Sequence, residues 1–281
     1  MANKTPHGWI DAHVHVWTDD RVRYPRVLNA QDYPPPHFTP DHFLAHAKPN
    51  GVTRAVLIQM SFYGSDNSYM LDSIRAYPGG FSGIGIISES ATNAAEQMTR
   101  LSERGVTGFR ITPGDSPKTW LDTTTMLEMW RCGAERRLAM CPLIDPAALP
   151  GIDRMCSRFP DTPVVIDHMA RIGVDGVIRD EDVKALCGLS KHRNVYVKVS
   201  AFYALGRKQP PYTDLIPLIR RVFEAYGPKR LMWASDCPFQ VQGGHTYADS
   251  VELITKRLDF LSAVDREWLL GKTAESILFR S

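Results

Sequence analysis

Near its start the chain reads WIDAHVHVW, with Asp11, His13 and His15 spaced by two residues inside an apolar run. A β-strand sends alternate side chains to opposite faces. The spacing predicts Asp11, His13 and His15 on one face and Ile10, Ala12, Val14 and Val16 on the other. Three polar groups aimed the same way from a buried strand require partners or a metal ion, because burying them unpaired is costly. Two later stretches carry groups of the same chemical kind: VVIDH ends in His168, and LMWASD ends in Asp236. Three imidazoles and one carboxylate suit a zinc or manganese ion better than calcium or magnesium. A carboxylate held beside water is also a general base.

These groups can meet only if the strands carrying them share one end of a sheet. Short runs rich in Val, Ile and Leu recur at 10–15, 54–59, 82–87, 107–111, 138–143, 164–168, 195–200 and 231–236. Several are continuously apolar, as strands buried on both faces are. Helical segments lie between them. DNSYMLDSIRAYP stops at proline, NAAEQMTRLSERG ends in glycine, and DTTTMLEMWRCGAERR runs from acidic to basic, each a recognised helix-end signal. DSVELITKRLDFLS carries an apolar stripe at Val251, Ile254, Leu258 and Leu261. Eight strands alternating with helices predict an α/β protein, a single (β/α)8 TIM barrel over residues 1–281. No glycine-rich nucleotide loop follows the first strand, which argues against an open doubly wound sheet. The C-terminal strand ends of such barrels carry the chemistry. His13, His15, His168 and Asp236 then converge at one mouth, with mouth loops after strand one (18–38) and strand eight (240–247).

Composition narrows the function classes. Of 281 residues, 43% are hydrophobic and 23% charged, with net charge +2, the profile of a soluble globular protein. No basic block provides a footprint for nucleic acid. No apolar run is long enough for a membrane span, and the first residues lack a signal-peptide core, so a cytoplasmic location is expected. The five cysteines are odd in number and contain no C-x-x-C, which predicts neither a disulfide framework nor a structural zinc site. The expected partner is a small-molecule substrate; homo-oligomerisation is left open.

DAHVH on strand one, His168 closing strand six and SDCP closing strand eight resemble the amidohydrolase superfamily. The resemblance is greatest to its lactonase branch of metal-dependent barrel hydrolases, which includes sugar lactonases and 2-pyrone-4,6-dicarboxylate lactonase. AVLIQMSFYGSDNSYML, GFRI, VVIDHMA, NVYVKVSAFY and RLMWASDCPF carry it, from about Ile10 to Phe279. It implies a hydrolase that opens a cyclic ester of a small sugar acid or carboxylated substrate with activated water. Many superfamily members bridge two metals with a carboxylated lysine on strand four. Here GFRI places Arg110 there, and AMCPLI on strand five offers no histidine. One divalent ion, zinc or manganese, is therefore expected, or none, since the pyrone lactonase is implied to work without metal. The pyrone lactonase also grips a carboxylate with an arginine after strand seven, where this chain has Tyr203 and Ala204, with Arg207 further on.

The predicted site follows. Asp236 is the general base, with His168 and Arg110 as further catalytic groups, and Gln59, Tyr63, Arg110, Tyr203 and His245 contact substrate. The metal ligands are His13, His15, His168 and Asp236. Arg171 is a further substrate candidate, and Asp66 reads equally as a helix cap. Lys198, in mid-strand, is expected to pair with a carboxylate such as Asp11 or with backbone. Cys141 and Cys237 fall near the mouth but have no adjacent base to make them nucleophiles. One alternative is a mononuclear-metal decarboxylase of the same superfamily, which needs a further histidine. Only His192 and His245 are available, and His192 precedes a strand. A non-catalytic binding homologue is the second alternative, and retention of all four site residues argues against it.

Overall fold

Every apolar run becomes a strand in the computed structural model, which describes residues 8–27, 32–113 and 119–279. The strands are β1 (Trp9–Val14), β2 (Val52–Ile58), β3 (Phe81–Gly85), β4 (Val106–Ile111), β5 (Ala139–Pro142), β6 (Val164–Ile166), β7 (Val195–Ser200) and β8 (Leu231–Ala234). They form one parallel sheet in sequential order. The barrel closes where the Asp236 N–H donates to His13 O (3.0 Å) and the His15 N–H to Cys237 O (2.8 Å). Helices α1 (Pro40–Ala47), α2 (Ser68–Ala76), α3 (Ala94–Ser102), α4 (Thr124–Arg136), α5 (Leu149–Arg158), α6 (Asp180–Gly188), α7 (Ile216–Tyr226) and α8 (Tyr247–Glu252) alternate with the strands, and α9 (Ala263–Glu267) and α10 (Thr273–Leu278) follow. This is the (β/α)8 barrel that the alternation predicts.

Side-chain parity separates two layers. Ile10, Ala12, Val56, Ile58, Val165, Met232 and Ala234 form an inner cluster with Leu278 of α10. Their strand neighbours, such as Leu57, Ile166, Val197 and Trp233, pack outward beneath the helices. Three register shifts interrupt the pairing, the first between Trp9–Val52 and Ile10–Arg54, where β2 advances two residues against one. Between the pairs Asp11–Ala55 and Val14–Leu57, β1 advances three residues while β2 advances two. Between Gly83–Val106 and Ile84–Gly108, β4 advances two while β3 advances one. An extra residue of this kind re-aims every side chain beyond it. Ala12 follows Ile10 into the inner cluster by plain alternation, and the extra residue turns His13 inward beside it. Asp11 does not share their face, contrary to the strict period-two reading. It accepts from the Ser235 N–H (2.9 Å), the His13 N–H (3.2 Å) and the hydroxyl of Tyr247, a residue of the outer layer (2.8 Å).

The mouth loops are tied together. Trp17 and Phe38 pair as an antiparallel bridge, the Trp17 indole N–H donates to Pro35 O (2.9 Å), and Gln242 Nε2 donates to Pro34 O (2.8 Å). Positions 28–31 of the first loop lie outside the described residues. The predicted helix over 249–262 is shorter than its stripe: α8 passes into a wider π turn at Leu253–Arg257. The Arg266 guanidinium ends it by donating to the carbonyls of Ile254, Leu258 and Leu261, while all four stripe residues stay buried. All five cysteines are free, and burial pushes the Cys141 thiol up to about 12. Among the described residues no helix is long and apolar enough to cross a membrane.

Burial pushes the Asp11 carboxyl up to about 6, against the opposing hydrogen bonds from Ser235, Tyr247 and His13. The folded state thus holds this proton more tightly than the unfolded chain. The stability this contributes is present below about pH 4 and is lost as pH rises through about 6, by about 3 kcal/mol. Asp11→Asn should remove that dependence: in urea unfolding between about pH 3 and pH 7, the wild type loses about 3 kcal/mol more than the variant.

Candidate active site

His13 and His15 sit where β1 ends. The His15 Nδ1 lies 3.0 Å from Ile58 O; a carbonyl only accepts, so Nδ1 carries the proton and the Nε2 lone pair faces the mouth. The His13 Nε2 lies 3.2 Å from His15 Nε2 and accepts from Arg110 Nη2 at 2.9 Å. Asp236 Oδ1 lies 3.3 Å from His15 Nε2 and 3.5 Å from His13 Nε2. It is buried and takes no hydrogen bond among the described residues. The other oxygen, Oδ2, accepts from the Tyr203 hydroxyl at 2.6 Å and lies 3.8 Å from His168 Nε2. The His168 Nδ1 is 2.8 Å from Ser200 Oγ.

Backbone turns aim these groups. β6 ends at Ile166, and His168, Met169, Ala170 and Arg171 all have φ between 50° and 56°. Adjacent residues of a strand point opposite ways; this left-handed run brings Asp167 and His168 to the same interior. Asp236 has φ 65° and Ala201 has φ 56°. Non-glycine residues in this region cost roughly 1–2 kcal/mol each and collect at functional sites.

Beneath the histidines lies a buried ion cluster. Lys198 Nζ is 2.9 Å from Asp167 Oδ1 and 3.2 Å from His13 Nδ1, and both Lys198 and Asp167 are 0% exposed. His13 Nδ1 is 3.3 Å from Asp167 Oδ1, and Arg110 Nη2 donates to Asp167 Oδ2 at 3.2 Å. Burial alone would raise the Asp167 carboxyl, but Lys198, His13 and Arg110 hold it well below the usual carboxylate range. Burial and then Lys198 push His13 well below an ordinary imidazole, so it stays neutral. Burial opposes ionisation of Asp236 too, yet the imidazoles around it, His168 first, draw it below its ordinary value in so far as they carry a proton. Lys198 thus pairs with Asp167 and not with Asp11, because β7 points it inward while Asp11, between the inward Ile10 and Ala12, faces outward. Sequence reasoning passed over Asp167. Its signal was the DH pair closing strand six, where strand parity assigns only one residue to the interior.

Above this cluster opens a cavity of about 1060 Å³, lined by His15, Arg110, His168, Tyr203 and Asp236. It extends along the loops after β3 and β4 past Ser88, Thr112, Trp120 and Thr123, and Arg171 stands at its wall, 3.3 Å from Asp145. His13 lies beneath, fully buried. Gln59, Tyr63 and His245 do not line it among the described residues. Gln59 Nε2 donates to Asp66 O (2.6 Å) and Gly64 O (3.3 Å), and the Tyr63 hydroxyl accepts from the Thr18 N–H (3.2 Å). His245 Nδ1 is 2.8 Å from the Tyr212 hydroxyl. Their polar atoms hold loops. Asp66 caps the Ser68 N–H at 3.0 Å, and His192 is 2.6 Å from Asp153 on the helical exterior.

The donors fit a metal ion. The ligand atoms of His13, His15 and Asp236 all lie within 4.8 Å of one another. His13 Nε2, His15 Nε2 and the unpartnered Oδ1 are three acceptor atoms held close together, and such a set suits a cation. His168 is outside this set. Arg110 donates to the His13 lone pair that an ion would use, and its charge opposes a second cation.

A (β/α)8 barrel with imidazoles and a carboxylate converging at its C-terminal mouth is the architecture of a barrel hydrolase. The chain belongs to the amidohydrolase family, whose model matches residues 10–280. It is 30% identical over 247 residues to a 2-pyrone-4,6-dicarboxylate hydrolase from Comamonas testosteroni, covering 84% of this chain and 78% of that protein. It is 27% identical to an L-fucono-1,5-lactonase from Burkholderia ambifaria, covering 84% and 82%. A crystal structure of an amidohydrolase from Burkholderia multivorans with bound zinc superposes with a TM-score of 0.79 at 21% identity, covering 96% of this chain and 98% of that one. The chain thus falls in the lactonase branch of the family and is an ester-hydrolysing enzyme.

The ion cluster makes a stability prediction. Lys198→Met leaves Asp167 buried beside fewer cations, and removing one member of a buried pair costs about 3–5 kcal/mol. Urea unfolding of the variant at neutral pH should show a loss of that size.

Proposed function

We propose that this protein opens a lactone of a small sugar acid or carboxylated substrate by attack of water, with Asp236 as the general base. The observation that carries the reading is Asp236 Oδ1, a buried carboxylate oxygen without a hydrogen bond at the floor of the cavity. Water placed there gives its proton to Oδ1 as its oxygen adds to the lactone carbonyl carbon. The carbonyl oxygen gains negative charge, and the Arg110 guanidinium and the His168 imidazole at the cavity floor are the groups placed to stabilise it. The ring carbon–oxygen bond then breaks, and Asp236 returns its proton to the departing alkoxide. The product is an open hydroxy acid, and the carboxylate is free for the next cycle.

His13, His15 and Asp236 would hold one divalent ion, zinc or manganese, which supplies carbonyl polarisation and acidification of water when bound; Oδ1 carries two lone pairs and could accept from water with the ion present. The relatives named for lactone hydrolysis support the reaction class. The hydroxyl-lined extension of the cavity suits an oxygen-rich substrate, and Arg171 at its wall suits an anionic one.

Asp236→Asn keeps the shape of the side chain but cannot take a proton. On a panel of lactones its turnover should fall about 10²–10⁴-fold with an unchanged circular dichroism spectrum; turnover near that of the wild type would exclude Asp236 as base. Metal analysis of protein purified without chelator should find no more than one zinc or manganese per chain. Two ions per chain would overturn the single site, and full activity of metal-free protein would place the chemistry on Asp236, the imidazoles and Arg110 alone.

A further inference from the structure

The two oxygens of Asp236 have different surroundings. Oδ2 accepts from the Tyr203 hydroxyl at 2.6 Å, while Oδ1 faces His15 and His13 without a hydrogen bond. The backbone of Asp236 is held separately, through its N–H to His13 O. Rotation of a carboxylate about its last bond is broad and two-fold, so the backbone does not distinguish one oxygen from the other. Tyr203 does.

Its own placement is firmly set. The left-handed Ala201 turns the chain off β7, and the phenol ring stacks on Phe239 (6.5 Å, 28°) and meets His245 edge-on (6.2 Å). His245 is held by the Tyr212 hydroxyl, which accepts from Gln240 Nε2 at 3.0 Å.

We infer that Tyr203 is a positioning residue for Asp236, holding Oδ2 so that Oδ1 is the oxygen that meets the attacking water. The inference rests on Asp236 as the base of the proposed hydrolysis. It gives Phe239 and His245 a purpose in holding the phenol ring, and removes His245 from substrate contact.

The test uses the full chain and the same lactone panel. Tyr203→Phe should lower kcat about 10- to 100-fold, as loss of a hydrogen bond to a charged group does, with KM within about threefold and metal content unchanged. Fluorotyrosine at 203, which keeps the hydroxyl, should restore kcat to within about threefold of the wild type. Para-fluorophenylalanine keeps the ring and its para substituent without a donor; it should match Tyr203→Phe and stands in for it if that variant does not fold. Unchanged kcat in both variants lacking the hydroxyl overturns the inference. So does a raised KM with kcat preserved, which makes Tyr203 a substrate contact. A readout without turnover separates this from failure of the hydrolase reading: the fluorine resonance of fluorotyrosine at 203 should move on Asp236→Asn, and an unmoved resonance overturns the inference. A wild type that opens no lactone while that resonance moves overturns the hydrolase reading and leaves the Tyr203–Asp236 bond standing.

Discussion

The ion pair between Lys198 and Asp167, sealed inside the barrel with neither residue exposed, constrains everything above it. A charge in such a place must be matched by partners close at hand. Lys198 reaches one oxygen of Asp167 and Arg110 takes the other, while His13 lies against both cations and the carboxylate. Lys198 and Arg110 thus stand against the buried His13, and the carboxylates Asp167 and Asp236 lie against it too. Arg110 donates to His13 Nε2, which makes that imidazole nitrogen an acceptor toward the mouth.

Aiming these groups requires departures from regular strand geometry. The extra residues in β1 and β4 fall in the two strands that deliver His13 and Arg110. The left-handed run after β6 and the left-handed Asp236 after β8 deliver the other partners. Each departure is unfavourable locally. Each persists because the surrounding barrel, with its inner and outer apolar clusters, determines the path of the chain independently. The stability of the scaffold thus maintains the geometry of the site.

The groups that face the cavity are held by neighbours behind them. Ile58 O sets the tautomer of His15, Ser200 orients His168, and Gln59 and Tyr63 lock the loop after β2 to its neighbours. Phe239 packs against His15, Tyr33 and Tyr203, linking the loops after β1, β7 and β8 into one aromatic wall. Polar residues at strand ends therefore divide between those that face the cavity and those that brace it, and their types alone do not say which.

The sequence alone determined the barrel, because apolar runs and capped helices are local signals and eight alternations leave few ways to bury them. It also determined that His13, His15, His168, Arg110 and Asp236 meet, because residues at the C-terminal ends of barrel strands share a mouth. Only the tertiary structure decided that Asp11 and His13 face opposite ways, since a bulge is a relation between two strands and leaves no mark in one. The same holds for Asp167, which joins His168 inside through a left-handed turn that strand parity forbids, and for Lys198, whose partner lies 31 residues away in sequence on a neighbouring strand end. Gln59, Tyr63 and His245 were placed at the mouth by position, but whether a side chain turns to the cavity or to a loop carbonyl depends on which acceptor the folded chain brings nearest.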